Sequence, residues 1–352
     1  MRIALVDPAA FTPQYDHALA AALAASGVDV ELVTSAFRFG AVPAAEGYAR
    51  RELFYPVSTR IFYRSRLRLP LKAAEHVVGL ARLRRVSADV LHFQWLPAPE
   101  LDDRLLRPQS PSVFTAHDLL PRRTAQKQAL WRHLLRRFQR IVVHSEYGRR
   151  TLADLGVDER RLRVIPHPVF PSDPSPNGDG RTLLCLGVIR PYKGVADAIA
   201  AVKRMDGARL LVAGDPMEPV DALRREAGDV AEWRLGYLAD AEIDRALGES
   251  AVALFPYRPE TDQSGALLRA LGAGVPAVVY DVGGLAEPVR RFAAGRVVRP
   301  GDVDALAAAA QELIDDPDAF AEARAGARRA REELTWAAAA AAHIRLYAEI
   351  AG

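Results

Sequence analysis

Two stretches of this 352-residue chain hold the residue types that grip an anion. They are GVIRPYKGV at 187–195 and DQSGALLRALGAGVPAVVYDVGGLAE at 262–287. In each, an apolar strand pattern runs into a turn of Gly or small residues, and a helical pattern follows. Free backbone N–H groups at a helix start, with the positive end of the helix dipole, favour an anionic ligand. Arg190 and Lys193 stand at the first turn, and two cations beside such amides turn a weak anion site into one fit for a diphosphate. The chemistry this suggests is a nucleotide-linked substrate held from two sides.

Turns of this kind need strands and helices to present them. RIALVD, VDVELVT, DVLHFQW, SVFTAHD, RIVVHS and LRVIP read as strands with helical patterns between several of them, and the alternation restarts at RTLLCLG, ARLLVAG, VALFPY and PAVVYD. Strands alternating with helices predict parallel sheets covered on both faces. The fold class is therefore α/β, with two Rossmann-like doubly wound domains facing a central cleft. Residues 166–180, PHPVFPSDPSPNGDG, are too rich in Pro, Gly, Ser and Asp to continue a helix or a central strand, and they read as the interdomain linker. Domain boundaries follow at 1–168 and 169–334, while 36–70 reads as an irregular aromatic excursion from the first domain.

Composition narrows the class further. The lone cysteine, Cys185, lies in an apolar run, which excludes an internal disulfide and suits core packing. No run approaches the length of a membrane span and no signal peptide is visible, so a cytoplasmic location is expected. Open α/β sheets bind ligands beyond the carboxyl ends of their strands. Polar residues cluster at those ends: His92 and Gln94, His117 and Asp118, His144 and Ser145, and His167. Each histidine taken singly is also compatible with a hydrogen-bonding loop role. His spacing does not match a metal motif, and no metal or cofactor is expected.

Taken in order, VFTAHDLLP, VVHSEYGRRTL, RVIPHPV, LGVIRPYKGVADAIAAV, LLVAGD, GYLADAEIDRAL, ALFPY, the 262–287 segment and LTWAAAAAAHIRLYAEI resemble the retaining GT-B glycosyltransferases of family 4, the group 1 glycosyl transferases. The resemblance covers essentially the whole chain. It implies that 169–334 holds a nucleoside diphosphate sugar of UDP or GDP type, and that 1–168 holds the acceptor, with a final helix at 335–352 packing back on the first domain. Carried over residue by residue, Lys193 stands at the family's lysine position. Arg190 sits two residues after the usual arginine position, where this chain has Val188. The amides of Ser264, Gly265, Ala266 and Leu267 would complete the diphosphate cradle, and Tyr237, Leu238 and Arg269 would lie beside the nucleoside. Where the family commonly has two glutamates eight positions apart, this chain has Thr261 and Arg269. A guanidinium cannot accept hydrogen bonds from ribose hydroxyls. Asp262 is then the candidate carboxylate near the donor sugar, with His92, Gln94, Glu260 and Glu287 as further contacts to donor sugar or acceptor.

The activity implied is transfer with retention of configuration and no obligatory metal, by a hexosyltransferase-type enzyme. Cations and oriented amides would stabilise the departing diphosphate, and His117 would hold a sugar hydroxyl or steady positive charge through its carbonyl. A catalytically silent homologue acting as a partner subunit is the alternative, motivated by Arg269 and Val188. No paired-acid geometry favours a glycosidase, and no GxGxxG follows the first strand, which disfavours an NAD enzyme. Basic stretches at 64–85 and 122–140 leave two readings open. One is a solvated cationic helix face; the other is peripheral docking at an anionic inner membrane face, which suits a lipid-linked acceptor. Nucleic acid is not expected as a partner.

Overall fold

A computed structural model describes residues 1–60, 68–121, 123–258 and 262–351. The chain divides into two compact units, Met1–Pro166 with Trp336–Gly352, and His167–Thr335. Among the described residues, unit one is built on β1 (Arg2–Val6), β2 (Asp29–Thr34), β3 (Ala49–Glu52), β4 (Val90–Phe93), β5 (Ser112–Thr115), β6 (Arg140–Val143) and β7 (Leu162–Val164). They form one parallel sheet in the order β3-β2-β1-β4-β5-β6-β7. Its helices are α1 (Pro13–Ala25), α2 (Arg68–Leu83), α3 (Pro99–Leu105), α4 (Gln128–Leu135) and α5 (Glu146–Asp154). Unit two carries β8 (Thr182–Leu186), β9 (Arg209–Gly214), β10 (Ala231–Leu235), β11 (Val252–Phe255), β12 (Ala277–Tyr280) and β13 (Gly295–Val298). Their parallel order is β10-β9-β8-β11-β12-β13. Here α6 (Val195–Val202), α7 (Asp221–Ala227), α8 (Asp240–Glu249), α9 (Gly265–Gly272), α10 (Ala286–Phe292), α11 (Val303–Asp315) and α12 (Pro317–Glu333) accompany the strands, and α13 (Trp336–Ala351) belongs to unit one.

In both sheets the first strand of the unit lies inside the order rather than at its edge, so the chain winds outward in both directions. That reversal creates a switch point at the carboxyl ends of β1 and β4, and another at those of β8 and β11. The central strands are apolar on both faces and fully buried, as at Ile3–Val6, Leu183–Leu186 and Val252–Phe255. The lone Cys185 is one of these core residues, and burial pushes its thiol up to about 12.

Three readings of the sequence need correction. The stretch 166–180 is not a free linker: from His167 onward it belongs to unit two. There Val169 N–H donates to Leu334, Ser172 N–H to Gly272 and Asn177 N–H to Gly248, while Arg331 ties down Asp173. Its Pro and Gly content fits irregular backbone laid along a surface, with its hydrogen bonds met by the unit beneath. Within 36–70 lies β3, an edge strand paired to β2, and α2 begins at Arg68. The basic helix expected across 122–140 is only α4, because the chain makes turns before it and Arg140 already opens β6.

Candidate functional site

The polar residues gather at the two switch points. In unit two, Gly187 follows the end of β8, and a short 3-10 turn at Pro191–Lys193 comes next. Gly194 closes that turn at φ +67 and opens α6, and a Cβ there would collide with the Pro256 carbonyl. Only glycine suits both the left-handed backbone and the close approach. The turn is thereby pressed against the end of β11, which places Lys193 beside Tyr257. Its Nζ donates to Tyr257 Oη at 2.7 Å and stands 3.9 Å from the ring centroid. Tyr257 Oη lies 3.0 Å from Ser264 Oγ, and Ser264 caps α9 by accepting the Leu267 N–H at 3.4 Å. Burial pushes the Tyr257 hydroxyl far up, so it stays protonated.

The two anion-gripping stretches are thus joined by one phenol. Arg190 is exposed on the same turn. Gly265 is exposed with open space where a Cβ would stand, and Ala266 is half-buried beside it. The Leu267 amide is a correction, since Ser264 already takes it. Asp262 is buried two residues before the cap, and Glu287 lies in the first turn of α10, its N–H donating to Gly284. Glu260 and Thr261 lie outside the described residues. Tyr237 is 43% exposed in the turn before α8, with Leu238 half-buried beside it. Arg269 is engaged by its own unit: Nη2 meets Asp240 Oδ1 at 2.9 Å and the guanidinium stands 4.9 Å from the Phe170 ring centroid.

In unit one the switch point is lined with aromatic and histidine rings. His117 stacks on Trp95 at 5.3 Å, meets the edge of Tyr15 at 4.7 Å, and places Nε2 2.9 Å from Gln94 Oε1. Its Nδ1 is 3.3 Å from His144 Nε2, and His144 Nδ1 is 2.9 Å from the Ile165 carbonyl. A carbonyl can only accept, so His144 carries its proton on Nδ1. Burial lowers His144 to about 4, which keeps it neutral and makes its Nε2 an acceptor. His117 thus faces an acceptor at each ring nitrogen, His144 Nε2 at Nδ1 and Gln94 Oε1 at Nε2.

Three sequence candidates need correction here. His92 is fully buried, with one ring nitrogen 2.6 Å from Tyr347 Oη and the other 2.7 Å from Thr115 Oγ1, so it fastens α13 to the sheet rather than meeting a ligand. Gln94 is also sealed, and its contact is with His117. His167 belongs to unit two and bonds the Pro168 carbonyl.

Sequence reasoning missed Asp7 and Asp16, both buried at the end of β1 and the start of α1. Asp7 accepts the N–H groups of Ala9, Phe11 and Thr12, which fixes the loop; Thr12 Oγ1 in turn accepts from Trp95 Nε1 at 2.8 Å. Burial raises both acids, Asp16 further because Asp7 repels its ionisation, so the proton of the pair resides on Asp16. The only visible signal was an Asp directly after the first strand. Among the described residues no three His, Cys, Asp or Glu side chains converge as a metal site.

This geometry has known counterparts. Residues 14–173 match Glycosyltransferase Family 4, and residues 180–316 match the Glycosyl transferases group 1 family. The chain belongs to the group 1 glycosyltransferases. Glycogen synthase of Mycobacterium tuberculosis is 35% identical over 176 residues, 47% of this chain and 42% of that one. The chain thus spans less than half the length of that relative. A phosphatidyl-myo-inositol mannosyltransferase of Mycolicibacterium smegmatis is 29% identical over 75% of this chain and 72% of its own. Anabaena HepE, solved in complex with UDP-glucose, superposes with a TM-score of 0.75 at 14% identity, covering 99% of this chain and 100% of that one. The likeness shows the fold, which is GT-B.

Proposed function

We propose that this group 1 glycosyltransferase is an active, retaining enzyme of hexosyltransferase type. It moves a sugar from a nucleoside diphosphate donor held by unit two to an acceptor hydroxyl held by unit one. The observation that carries the reading is the convergence of Lys193 and Ser264 on Tyr257, which brings both anion-gripping stretches to one point. In the reaction the bond from the anomeric carbon to the diphosphate oxygen breaks and a bond to the acceptor oxygen forms on the same face. The acceptor's proton leaves with the diphosphate. The protein's task is to stabilise the negative charge that accumulates there, which Lys193, Arg190 and the amides opening α9 are suited to do. UDP or GDP is the nucleotide class, and no metal or cofactor is required by this scheme.

A sugar-containing or lipid-linked acceptor fits the aromatic lining of unit one and the phosphoinositide named for the mannosyltransferase relative. On α2 Leu69, Val77 and Val78 are 55%, 41% and 48% exposed, and Arg82 in its last turn is followed by exposed Arg84 and Arg85 just beyond its end. Such a face suits peripheral contact with an anionic membrane on the cytoplasmic side. No described helix is long and apolar enough to cross a membrane.

The deciding experiment is calorimetric titration of UDP and GDP, paired with slow donor hydrolysis across a panel of nucleotide sugars. Nucleotide binding with turnover of at least one donor is expected. Binding without any turnover would identify a silent homologue, and no binding of either nucleotide would refute the donor site.

A further inference from the structure

Hydrogen-bond direction in unit two can be worked out atom by atom. An ammonium group has only donors, so along the Lys193–Tyr257 contact the phenol oxygen accepts. A phenol is a stronger acid than an aliphatic alcohol, and a cation at its oxygen makes it a better donor still. The Tyr257 proton is therefore directed to Ser264 Oγ, 3.0 Å away. Ser264 Oγ already accepts the Leu267 N–H. Both lone pairs of the serine oxygen are then committed, and the O–H of this buried residue is left as a donor.

We propose that Tyr257 is a positioning residue that transmits the charge of Lys193 to Ser264, so that the Ser264 hydroxyl is held as a hydrogen-bond donor to the anionic portion of the ligand. The inference rests on the donor-site reading and adds to it a residue and a direction. Lys193 contributes twice: by its charge, and by setting the polarity of a relay that ends in a second donor several atoms away. Tyr257 touches neither nucleoside nor sugar in this scheme. Ser264 would favour a fully ionised diphosphate over a neutral ligand, since a hydrogen bond to a charged oxygen is the stronger one. The loop carrying the phenol, Pro256-Tyr257, is also the one against which Gly194 is pressed, so the relay geometry is fixed from both ends.

The test is titration of UDP and GDP into wild type, Tyr257→Phe, Lys193→Ala and the double variant, with uridine and guanosine as uncharged probes. Tyr257→Phe keeps the ring and removes the relay. It is expected to weaken diphosphate binding roughly five- to tenfold, the loss of one hydrogen bond, and to leave nucleoside binding unchanged. The double variant should bind within about twofold of Lys193→Ala alone, because without the first donor the polarity is no longer set. Unchanged diphosphate affinity in Tyr257→Phe, or losses that simply multiply in the double variant, overturn the relay while leaving the donor site standing. Failure of the wild type to bind either diphosphate overturns the donor site and the relay together. Should Tyr257→Phe lose its fold by circular dichroism, Ser264→Ala with Lys193→Ala reads the same coupling: less-than-multiplicative losses support the relay and multiplicative losses refute it.

Discussion

His343 on α13 offers a prediction whose size follows from its surroundings. It is fully buried, its Nδ1 is spent on the Ala339 carbonyl one turn earlier, and its Nε2 has no partner among the described residues. Desolvation lowers it from 6.5 to about 4, outweighing the Ala339 carbonyl, which favours the charge, and neighbouring His144 adds to the cost of a charge there. A histidine whose folded pKa is depressed contributes no penalty above its unfolded pKa and destabilises as pH falls below it. The loss grows between pH 6.5 and about 4, then levels off. For one such group, moving from pH 7 to pH 5 costs roughly 2 kcal/mol. His144 has the same shift and cause, whereas Asp7, Asp16 and Asp102 are raised by burial and act in the opposite direction. The clean observable is therefore a difference. His343→Leu removes one titration and the orphan nitrogen, at similar volume. Three of the four tryptophans, Trp95, Trp131 and Trp336, lie in unit one, so urea unfolding followed by intrinsic fluorescence reports mainly on that unit. At pH 7 the variant should match wild type or exceed it slightly; at pH 5 it should be more stable by roughly 2 kcal/mol. Parallel stability curves for the two proteins across this range would refute the reasoning.

Further outcomes are expected at the ligand-facing turns and at the helix contacts. Lys193→Ala should weaken UDP or GDP roughly ten- to hundredfold in calorimetry, the loss of a charge-assisted hydrogen bond, with little change in melting temperature. Gly194→Ala strains a left-handed position and meets the Pro256 carbonyl, so thermal unfolding should show a loss of about 2 kcal/mol or more and nucleotide binding should fall with it. Arg269→Ala breaks a pair whose Asp240 side chain is 62% exposed; denaturant midpoints should shift by less than about 1 kcal/mol. On α2, Gly79 has no room for a Cβ against the Phe54 ring, and Gly79→Ala should destabilise unit one by about 1–3 kcal/mol in the same assay.

The central strands were legible because a strand buried on both faces must be apolar at every position, as TLLCL and VALF are. The strands that escaped notice are edges. ARRE at β3, AEWRL at β10 and GRVV at β13 each pair on one side only and stay partly exposed, so no continuous apolar run marks them. The helix at 128–135 was overread because its apolar stripe continues into Phe138, which is buried but sits in the turn after the helix. At the site, charge and glycine advertised the turns around Lys193 and Ser264. Tyr257 did not stand out, since a tyrosine closing an apolar strand reads as core, and its role lies in where its one hydroxyl points. Among the histidines, His92 shows the opposite error, a core residue read as a ligand contact. His92, His117 and His144 lie at or near the ends of consecutive strands, and only His117 was given a catalytic role; burial and partners give His92 a fastening role and His144 a supporting role, and leave His117 on the aromatic lining.

The return of α13 to unit one has a consequence for biogenesis. The first 166 residues lack a complete interior until Tyr347 and His343 arrive to seal His92, whereas unit two is continuous from His167 to Thr335. On the ribosome, the portion synthesised second can therefore finish folding before the portion synthesised first. The N-terminal half must wait, with its sheet partly uncovered, until residues 336–351 have emerged, and a stall or cleavage just upstream of Trp336 would strand it in that state.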